Sequence, residues 1–560
     1  MGQNKNKVKV MVLGFDGASF NVLLPMIEKG KLPHFASMMK HGVSGKLRSV
    51  IPPVSGPAWT TFATGVYPGK HGIYDFFRNL PEEYGCTPIN SSFIPTKTLW
   101  EILSEQGKKI GVMNTLFSYP PQKVNGFVIS GRGTPGENSQ YSYPDQLKDE
   151  ILTYEPKYKI EPYRQISQTK RFLRLLVEQL KCQERVNRYL FQKYPCDFAM
   201  SYFAVPDLIQ HIFWKYIDPN HPHYSYKRAR RFLPLIEDCY TTLDSIICER
   251  LKMIDEDTIL IVISDHGAGP LHKLFQLNKW LQQSQLLFLK ENYSERNLAN
   301  MVLLTNLAKG LLNIASRVDI FGLRRLIGYK TRQKRRLYGM KKFIDWSRTK
   351  AYAGRLAECG VYVNLKGREG QGIVASGQEY EKIRELIISN LSDLRDPQNG
   401  ENIFEKIWKR EELYSGPYVS DAPDLILDFG DHPYMANDSL LSSELFEKVP
   451  TNGVGGMHRN DGIIMAHGQG IKKGATLEGA NICDLAPTIL YLMGLEIPNY
   501  MDGKILADIL TSPPLQIHKE SHISDTDNKP TMITEEKKKI IYSEEEAEDI
   551  SKRLKELGYL

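Results

Sequence analysis

Ser55 stands in VSGPAWTTFATG (54–65), a hydroxyl at a Gly-Pro corner where a helix is about to begin. Pro57 suits a first helical turn, because its missing N–H is one the helix would not use, and Gly56 lets the backbone turn tightly before it. A serine at such a mouth meets free backbone N–H groups and the positive end of the helix dipole, both of which favour an anion such as phosphate. Taken alone it reads as a helix cap. Other polar residues change that reading. Asp16 closes the run VKVMVLGFDG, Asp207 and His211 form a D-x3-H pair in PDLIQH, Asp265 and His266 are adjacent in ISDHGAG, and His458 stands in GGMHRNDG. Each has an ordinary alternative, since strand-end aspartates often cap helices and single histidines are commonly packed or exposed. Together, three aspartates, three histidines and a hydroxyl make a nitrogen and oxygen donor set with no thiolate. That set suits two divalent ions of the zinc type, with manganese as the alternative.

Such residues need a frame. Five β-branched and apolar runs end abruptly in polar residues: 8–17, KIGVMNT (109–115), DFAMSYFAVPD (197–207), TILIVISDHG (258–267) and GIIMAHGQG (462–470). Helical patterns lie between them. Nearly continuous apolar strands alternating with helices predict a sheet buried on both faces, hence a mainly parallel α/β sandwich of three layers. In such sheets the ligand site lies beyond the carboxyl ends of the strands, where Asp16, Asp207 and the Asp265-His266 pair fall. Between 276 and 440 the rhythm changes, and AYAGRLAECGVYVNLKGREG alternates like a strand hairpin; this region is expected to be an inserted cap on a core formed by 1–275 and 441–512. Residues 513–540 read as a polar linker. The last segment, 541–560, reads as an amphipathic helix: Ser543 and Glu546 have capping-box spacing, and Ala547, Ile550, Leu554 and Leu557 form an apolar stripe expected to dock on the body or on a partner.

The bulk properties narrow the classes. With 560 residues, 41% hydrophobic and 24% charged, the chain has an ordinary globular composition, and no apolar run approaches the roughly 18 to 20 residues that cross a bilayer. The opening MGQNKNK leads directly into VKVMVLGF without a separate hydrophobic segment and cleavage site, and the seven cysteines are scattered without a CxxC pair. A cytoplasmic protein is expected. A net charge of +7 is slight for this length and predicts no specific nucleic-acid binding. The basic segment 324–342, from Arg324 and Arg325 to Lys341 and Lys342, reads chiefly as a solvated cap face. Its functional alternative is weak contact with an anionic membrane surface or a phosphorylated substrate.

In order along the chain, LGFDG, PPVSGPAWTTFATGVYPGKHGIYDF, PDLIQH, SDHG, GMHRNDG and DLAPTILYLMGLEIPNYMDGKIL resemble the type I phosphodiesterase and nucleotide pyrophosphatase family of the alkaline phosphatase superfamily. The resemblance implies an alkaline-phosphatase-like fold and a hydrolase cleaving a phosphodiester or phosphoanhydride in a phosphate-ester or nucleotide-like small molecule. It also implies that Asp16, Ser55, Asp265 and His266 hold one metal, Ser55 as its alkoxide, and that Asp207, His211 and His458 hold the other. Ser55 stands where many members have threonine. Two cations about 4 Å apart stabilise both the entering and the leaving oxygen of an in-line displacement at phosphorus, here through a phosphoseryl intermediate. Asn114 is a candidate donor to the phosphate, Arg78 and Arg132 are candidate substrate contacts, and Lys70, His71 and Asp75 read as supporting structure. A phosphomonoesterase or a phosphotransferase or mutase of the same superfamily would use the same residues. A binding protein that had lost the chemistry would be expected to lack a ligand, and here the set is complete. A sulfatase would carry arginine where Trp59 stands, and an α/β-hydrolase would carry glycines where Pro53 and Pro57 stand.

Overall fold

Strands with no polar face form the centre of the protein. The computed structural model describes residues 8–161, 168–291, 341–354, 360–440, 442, 444–451, 453–512 and 542–556. Within it β1 (Lys9–Phe15), β2 (Val43–Arg48), β3 (Ile110–Met113), β4 (Gly126–Ile129), β5 (Ser142–Tyr143), β6 (Phe198–Phe203), β7 (Thr258–Ile263), β8 (Asp461–His467) and β9 (Ala475–Asn481) make one sheet. Their order is β9, β2, β8, β7, β1, β6, β3, β4, β5. From β7 across β1, β6 and β3 to β4 all pairs are parallel. β5 runs against β4, and β8 runs against both β7 and β2. The reversal of β8 follows from where it begins. It starts directly after the strand that bears His458, at the carboxyl edge of its neighbours, so it can enter the sheet only in the opposite sense.

Alternation along the strands sets the layers. Val10, Val12, Ile259, Ile261 and Ile263 point to the face covered by α1 (Ser55–Thr64), packing with Ala58, Trp59 and Phe62. Leu13, Phe15, Leu260 and Val262 point the other way, against α2 (Lys170–Lys193), α3 (Val205–Ile217) and α4 (Tyr226–Met253). A period of two on strands buried on both sides thus yields the three-layer α/β sandwich.

Outside this sheet, Lys273–Gln276, Tyr434–Asn437 and Phe446–Lys448 form a three-stranded sheet, and Ala351–Gly354, Gly360–Val363, Leu425–Asp428 and Lys406–Lys409 form a four-stranded one in that order. Ala351–Gly354 and Gly360–Val363 pair antiparallel. These strands share a separate apolar cluster that includes Trp280, Tyr352, Val361, Ile387 and Leu425. Within this region Asp424, fully buried, accepts from Val363 N at 2.7 Å, from both Nη atoms of Arg368 at 2.8 and 2.6 Å and from Tyr380 Oη, and it forms an ion pair with Arg410 Nη1 at 3.2 Å.

At the far end of the chain α5 (Glu544–Glu556) returns to the body. Ser543 N donates to Glu546 at 2.8 Å and Glu546 N donates to Ser543 Oγ at 3.3 Å, so the expected capping box forms. Ile550 and Leu554 are buried in the apolar cluster on the sheet face that α1 covers, while Leu557 and the segments 513–541 and 324–340 lie outside the described residues. Among the described residues no helix is long and apolar enough to cross a membrane.

Candidate metal centre and nucleophile

The sheet delivers the polar residues to one edge. Asp16 follows β1 and is pinned there by its N–H on Phe203 O at 3.0 Å. The next residue, Gly17, has φ +67, and a Cβ on it would lie 3.1 Å from Asp207 and 3.2 Å from His266, so the turn demands glycine twice over. Gly17 N–H donates to Asp265 Oδ1 at 3.1 Å, and Gln210 of α3 donates to Gly17 O at 2.5 Å. One turn therefore ties β1, α3 and the end of β7 together.

Ser55 is the first residue of α1 rather than its cap, which is Val54, and it is fully buried. Its Oγ lies 3.0 Å from His266 Nε2 and donates to Asp16 Oδ1 at 3.4 Å. The height of α1 above the sheet is set by Trp59. A Cβ on Gly14 of β1 would fall 2.5 Å from the Trp59 ring, which also meets Tyr202 of β6 edge-on at 5.3 Å.

Asp207 lies in the first turn of α3, and His211 stands one turn on, with Nε2 3.1 Å from Asp207 Oδ1. His458 comes from Gly456–Arg459, a strand paired antiparallel with Gly267–Pro270 so that His458 sits opposite Ala268. That pairing brings His458 Nε2 to 3.4 Å from Asp207 Oδ1 and 2.9 Å from His211 Nε2. His266 Nε2 is 3.4 Å from both Asp16 Oδ1 and Asp265 Oδ2. All seven expected residues thus meet, and each is buried.

The donor atoms have the orientation a metal site requires. His211 Nδ1 donates to Gly456 O at 3.0 Å and His266 Nδ1 to Gly267 O at 2.9 Å, which leaves each Nε2 lone pair facing the centre. Asp265 Oδ2 is buried and accepts no hydrogen bond among the described residues. Asp207, His211 and His458 bring their ligand atoms within 4.8 Å of one another, as do Asp16, Asp207 and His266. The two groups share Asp207, which the family resemblance assigns to one ion alone. Three carboxylates and three imidazoles in two overlapping groups make a nitrogen and oxygen donor set that fits divalent metal ions.

Charge in this dry pocket is unbalanced. Burial and then Asp207 push the Asp16 carboxyl up, against His266 and Arg132, while burial and then Asp16 push Asp265 well above the usual carboxylate range. Burial also raises Asp207, but His211 and His458 outweigh it and hold that group low. Burial and then the neighbouring His266 push His458 down to about 3. Crowded carboxylates beside an imidazole that burial keeps uncharged are what an external cation would relieve.

Sequence reasoning missed Tyr202, whose hydroxyl donates to Asp16 Oδ2; an amphipathic tyrosine near the end of a strand buried throughout was the available signal. It misplaced Asn114. That side chain donates to Tyr158 Oη at 2.8 Å and accepts from Gln183 at 3.0 Å, so its amide braces the base of the sheet edge instead of meeting a phosphate. Lys70 binds Asp502 at 2.5 Å and Tyr500 O at 2.9 Å. His71 accepts from Ile73 N at Nδ1, 3.1 Å, and therefore donates from Nε2 to Thr61 of α1 at 3.0 Å. Asp75, whose carbonyl would be 3.3 Å from a Cβ on Gly56, opens onto a cavity of about 250 Å³ also lined by Tyr74, Arg78, Tyr362, Arg368 and Asp421. Arg132 is buried, with Nε on Glu161 at 2.8 Å.

The model of the type I phosphodiesterase / nucleotide pyrophosphatase family matches residues 10–458, and the chain belongs to that family, within the alkaline phosphatase superfamily. Among solved structures, phosphonoacetate hydrolase from Sinorhizobium meliloti 1021 in complex with phosphonoacetate is similar with a TM-score of 0.51 at 12% identity, over 87% of this chain and 96% of that one. Human ectonucleotide pyrophosphatase/phosphodiesterase 5 is similar with a TM-score of 0.49 at 14% identity, over 90% of this chain and 100% of that one. No curated protein is significantly similar in sequence. The first of these shares the fold, and the family is one of phosphohydrolases.

Proposed function

We propose that this protein is a two-metal phosphohydrolase that cleaves a phosphodiester or phosphoanhydride through a phosphoseryl intermediate on Ser55. The observation that carries the reading is the place of the Ser55 hydroxyl, 3.0 Å from His266 Nε2 at a buried centre of three carboxylates and three imidazoles. Asp16, Asp265 and His266 beside Ser55, and Asp207, His211 and His458 opposite, would hold two divalent ions, zinc with manganese as the alternative. Bound there, the ions supply positive charge for the entering and leaving oxygens.

The chain's own part is positional. α1 presents Ser55 from its first turn, so the helix N-terminus faces the phosphorus and favours its negative oxygens. Ser55 Oγ forms a bond to phosphorus as the bond to the departing alcohol or phosphate breaks. Water then attacks the phosphoserine from the opposite side, the seryl oxygen leaves and takes back a proton, and the phosphate product departs. Region 276–440 serves as the cap, and the cavity beside Asp75 receives the group esterified to phosphorus. The substrate class is a phosphate ester or nucleotide-like small molecule, in keeping with the family, and the scatter of seven cysteines without a CxxC pair supports a cytoplasmic setting.

Ser55→Ala tests the nucleophile. With a panel of aryl phosphate monoesters, diesters and nucleotide anhydrides, the variant should lose on the order of 10⁴-fold or more in kcat while keeping its metals. A chelator should silence the wild type, and turnover that survives both treatments contradicts the mechanism. A wild type that prefers monoesters over diesters would move the activity to the phosphomonoesterase class.

A further inference from the structure

A hairpin joins the surroundings of the nucleophile to the 276–440 region. Its strands, Phe77–Leu80 and Gly85–Pro88, pair antiparallel, and between them Tyr84 stacks on Trp346 with ring centroids 3.6 Å apart. The Tyr84 hydroxyl donates to Asn364 Oδ1 at 2.8 Å and accepts from Gln371 N at 3.0 Å. Nearer Ser55 in sequence, Tyr414 Oη donates to Ile51 O at 2.5 Å, and Tyr74 Oη donates to Tyr418 O at 2.8 Å. The cavity of about 250 Å³ lies in this seam, with Tyr74, Asp75 and Arg78 on one side and Tyr362, Glu369 and Asp421 on the other. Asp75 brings it to the nucleophile: its carbonyl oxygen is 3.3 Å from the position of a Cβ on Gly56, the residue after Ser55.

Part of the wall is already paired. Arg368 places both Nη atoms on Asp424 and its Nε on Glu369 at 2.9 Å, and Glu369 also accepts from Leu365 N at 2.8 Å. Tyr362 differs. It is 6% exposed, its ring lies nearly parallel to that of Tyr352 at 5.6 Å, and among the described residues its hydroxyl makes no hydrogen bond. Burial, then Asp424 and Asp75, push the phenol above its usual range, so at neutral pH it keeps its proton and can both donate and accept. A buried hydroxyl without a partner is a cost that the polar group of a ligand removes. Arg78 Nη2 lies 3.9 Å from Asp421 Oδ2, and both side chains are partly exposed, so neither charge is committed to the other.

Size and charge choose the occupant. The cavity falls below the roughly 300 Å³ at which sites for drug-sized ligands begin, so it suits one small ring better than a whole nucleoside. An ammonium group would face Arg78 and Arg368, and an anion would face Asp75, Glu369 and Asp421. Hydroxyls suit every one of these neighbours, because each donates to a carboxylate and accepts from a guanidinium or a phenol. The C–H faces of such a ring would rest on Tyr74 and Phe77.

We propose that this cavity binds a compact, uncharged polyhydroxy group, a sugar or polyol esterified to the phosphorus, which Tyr362 and Arg78 recognise through its hydroxyls. The assignment rests on the reading of Ser55 as the nucleophile of a phosphohydrolase. Its test is calorimetry on the full-length, metal-loaded protein with glucose 6-phosphate, thymidine 5′-phosphate and inorganic phosphate. Glucose 6-phosphate should bind on the order of 10-fold more tightly than inorganic phosphate, and more tightly than thymidine 5′-phosphate. Tyr362→Phe keeps the ring and removes the hydroxyl, and should cut the preference for glucose 6-phosphate over phosphate by about 3- to 10-fold. Arg78→Ala should cut it by about 3-fold, because that side chain is half in solvent. Both variants should raise KM for the p-nitrophenyl ester of glucose 6-phosphate by similar factors.

A glucose 6-phosphate affinity equal to that of inorganic phosphate overturns the proposal, and so does an unaltered preference in folded Tyr362→Phe. Arg78→Ala decides in the same way should Tyr362→Phe not fold. Tighter binding of thymidine 5′-phosphate would make the cavity a nucleoside site and overturn the assignment. Protein that prefers glucose 6-phosphate through Tyr362 yet turns over no ester would sink the activity and uphold the cavity, whereas turnover without that preference would do the reverse.

Discussion

Buried carboxylates in two regions of this chain are built on opposite principles. Asp424, in the four-stranded region, is enclosed by two Arg368 nitrogens, Arg410, Tyr380 and the Val363 N–H, so its charge is answered in full by the protein. Asp16, Asp207 and Asp265 are buried as deeply, yet they crowd one another beside histidines of which His458 is held uncharged, and Asp265 Oδ2 accepts no hydrogen bond among the described residues. The first arrangement is complete as folded. The second is a deficit of positive charge, and burial without compensation marks a place where something from outside is meant to bind.

The contrast can be broken at either end. Asp424→Asn takes from Arg368 its two-pronged partner and leaves it Glu369 at 2.9 Å, and should cost about 3 kcal/mol in chemical denaturation, with metal content unchanged. Zinc at about a hundredfold its dissociation constant should stabilise the wild type by about 2.7 kcal/mol, whereas Asp265→Asn should lose most of that gain and, in metal-free protein, unfold no more easily than the wild type. A metal-free Asp265→Asn as unstable as Asp424→Asn would erase the distinction between the two sets.

The smallest effect separates a structural histidine from the clustered ones. Burial pushes His71 down to about 3, below its ordinary 6.5, so the fold prefers the neutral ring that accepts from Ile73 and donates to Thr61. The stability it lends is full above pH 6.5 and is lost as pH falls toward 3, with a limiting slope of about 1.4 kcal/mol per pH unit for one proton. His71→Gln should flatten the acid limb of the stability curve by that amount, and an unchanged limb would show that His71 is protonated in the fold.

What was legible in the chain was what local chemistry dictates. The five central runs are apolar on both faces and so declare a buried sheet, and Asp16, Asp207 and Asp265 follow strand ends because such sheets expose their ligands there. The reversal of β8 was not legible, since it depends on where the preceding strand emerges. Asp207 between two foci needed the pairing of Ala268 with His458 before it could be seen. Asn114 looked like a donor at a strand end, but its partners Tyr158 and Gln183 lie 44 and 69 residues away, and no local pattern announces them.

Gly14 and Trp59 hold a further consequence. The indole rests where the first carbon of any other side chain on β1 would go, so the spacing between serine and first aspartate is gauged by an absent methyl group. Alanine at that position would act as a shim: the indole must tilt, its helix must lift, and the hydroxyl would drift off the phosphorus although every residue that touches the substrate was still present.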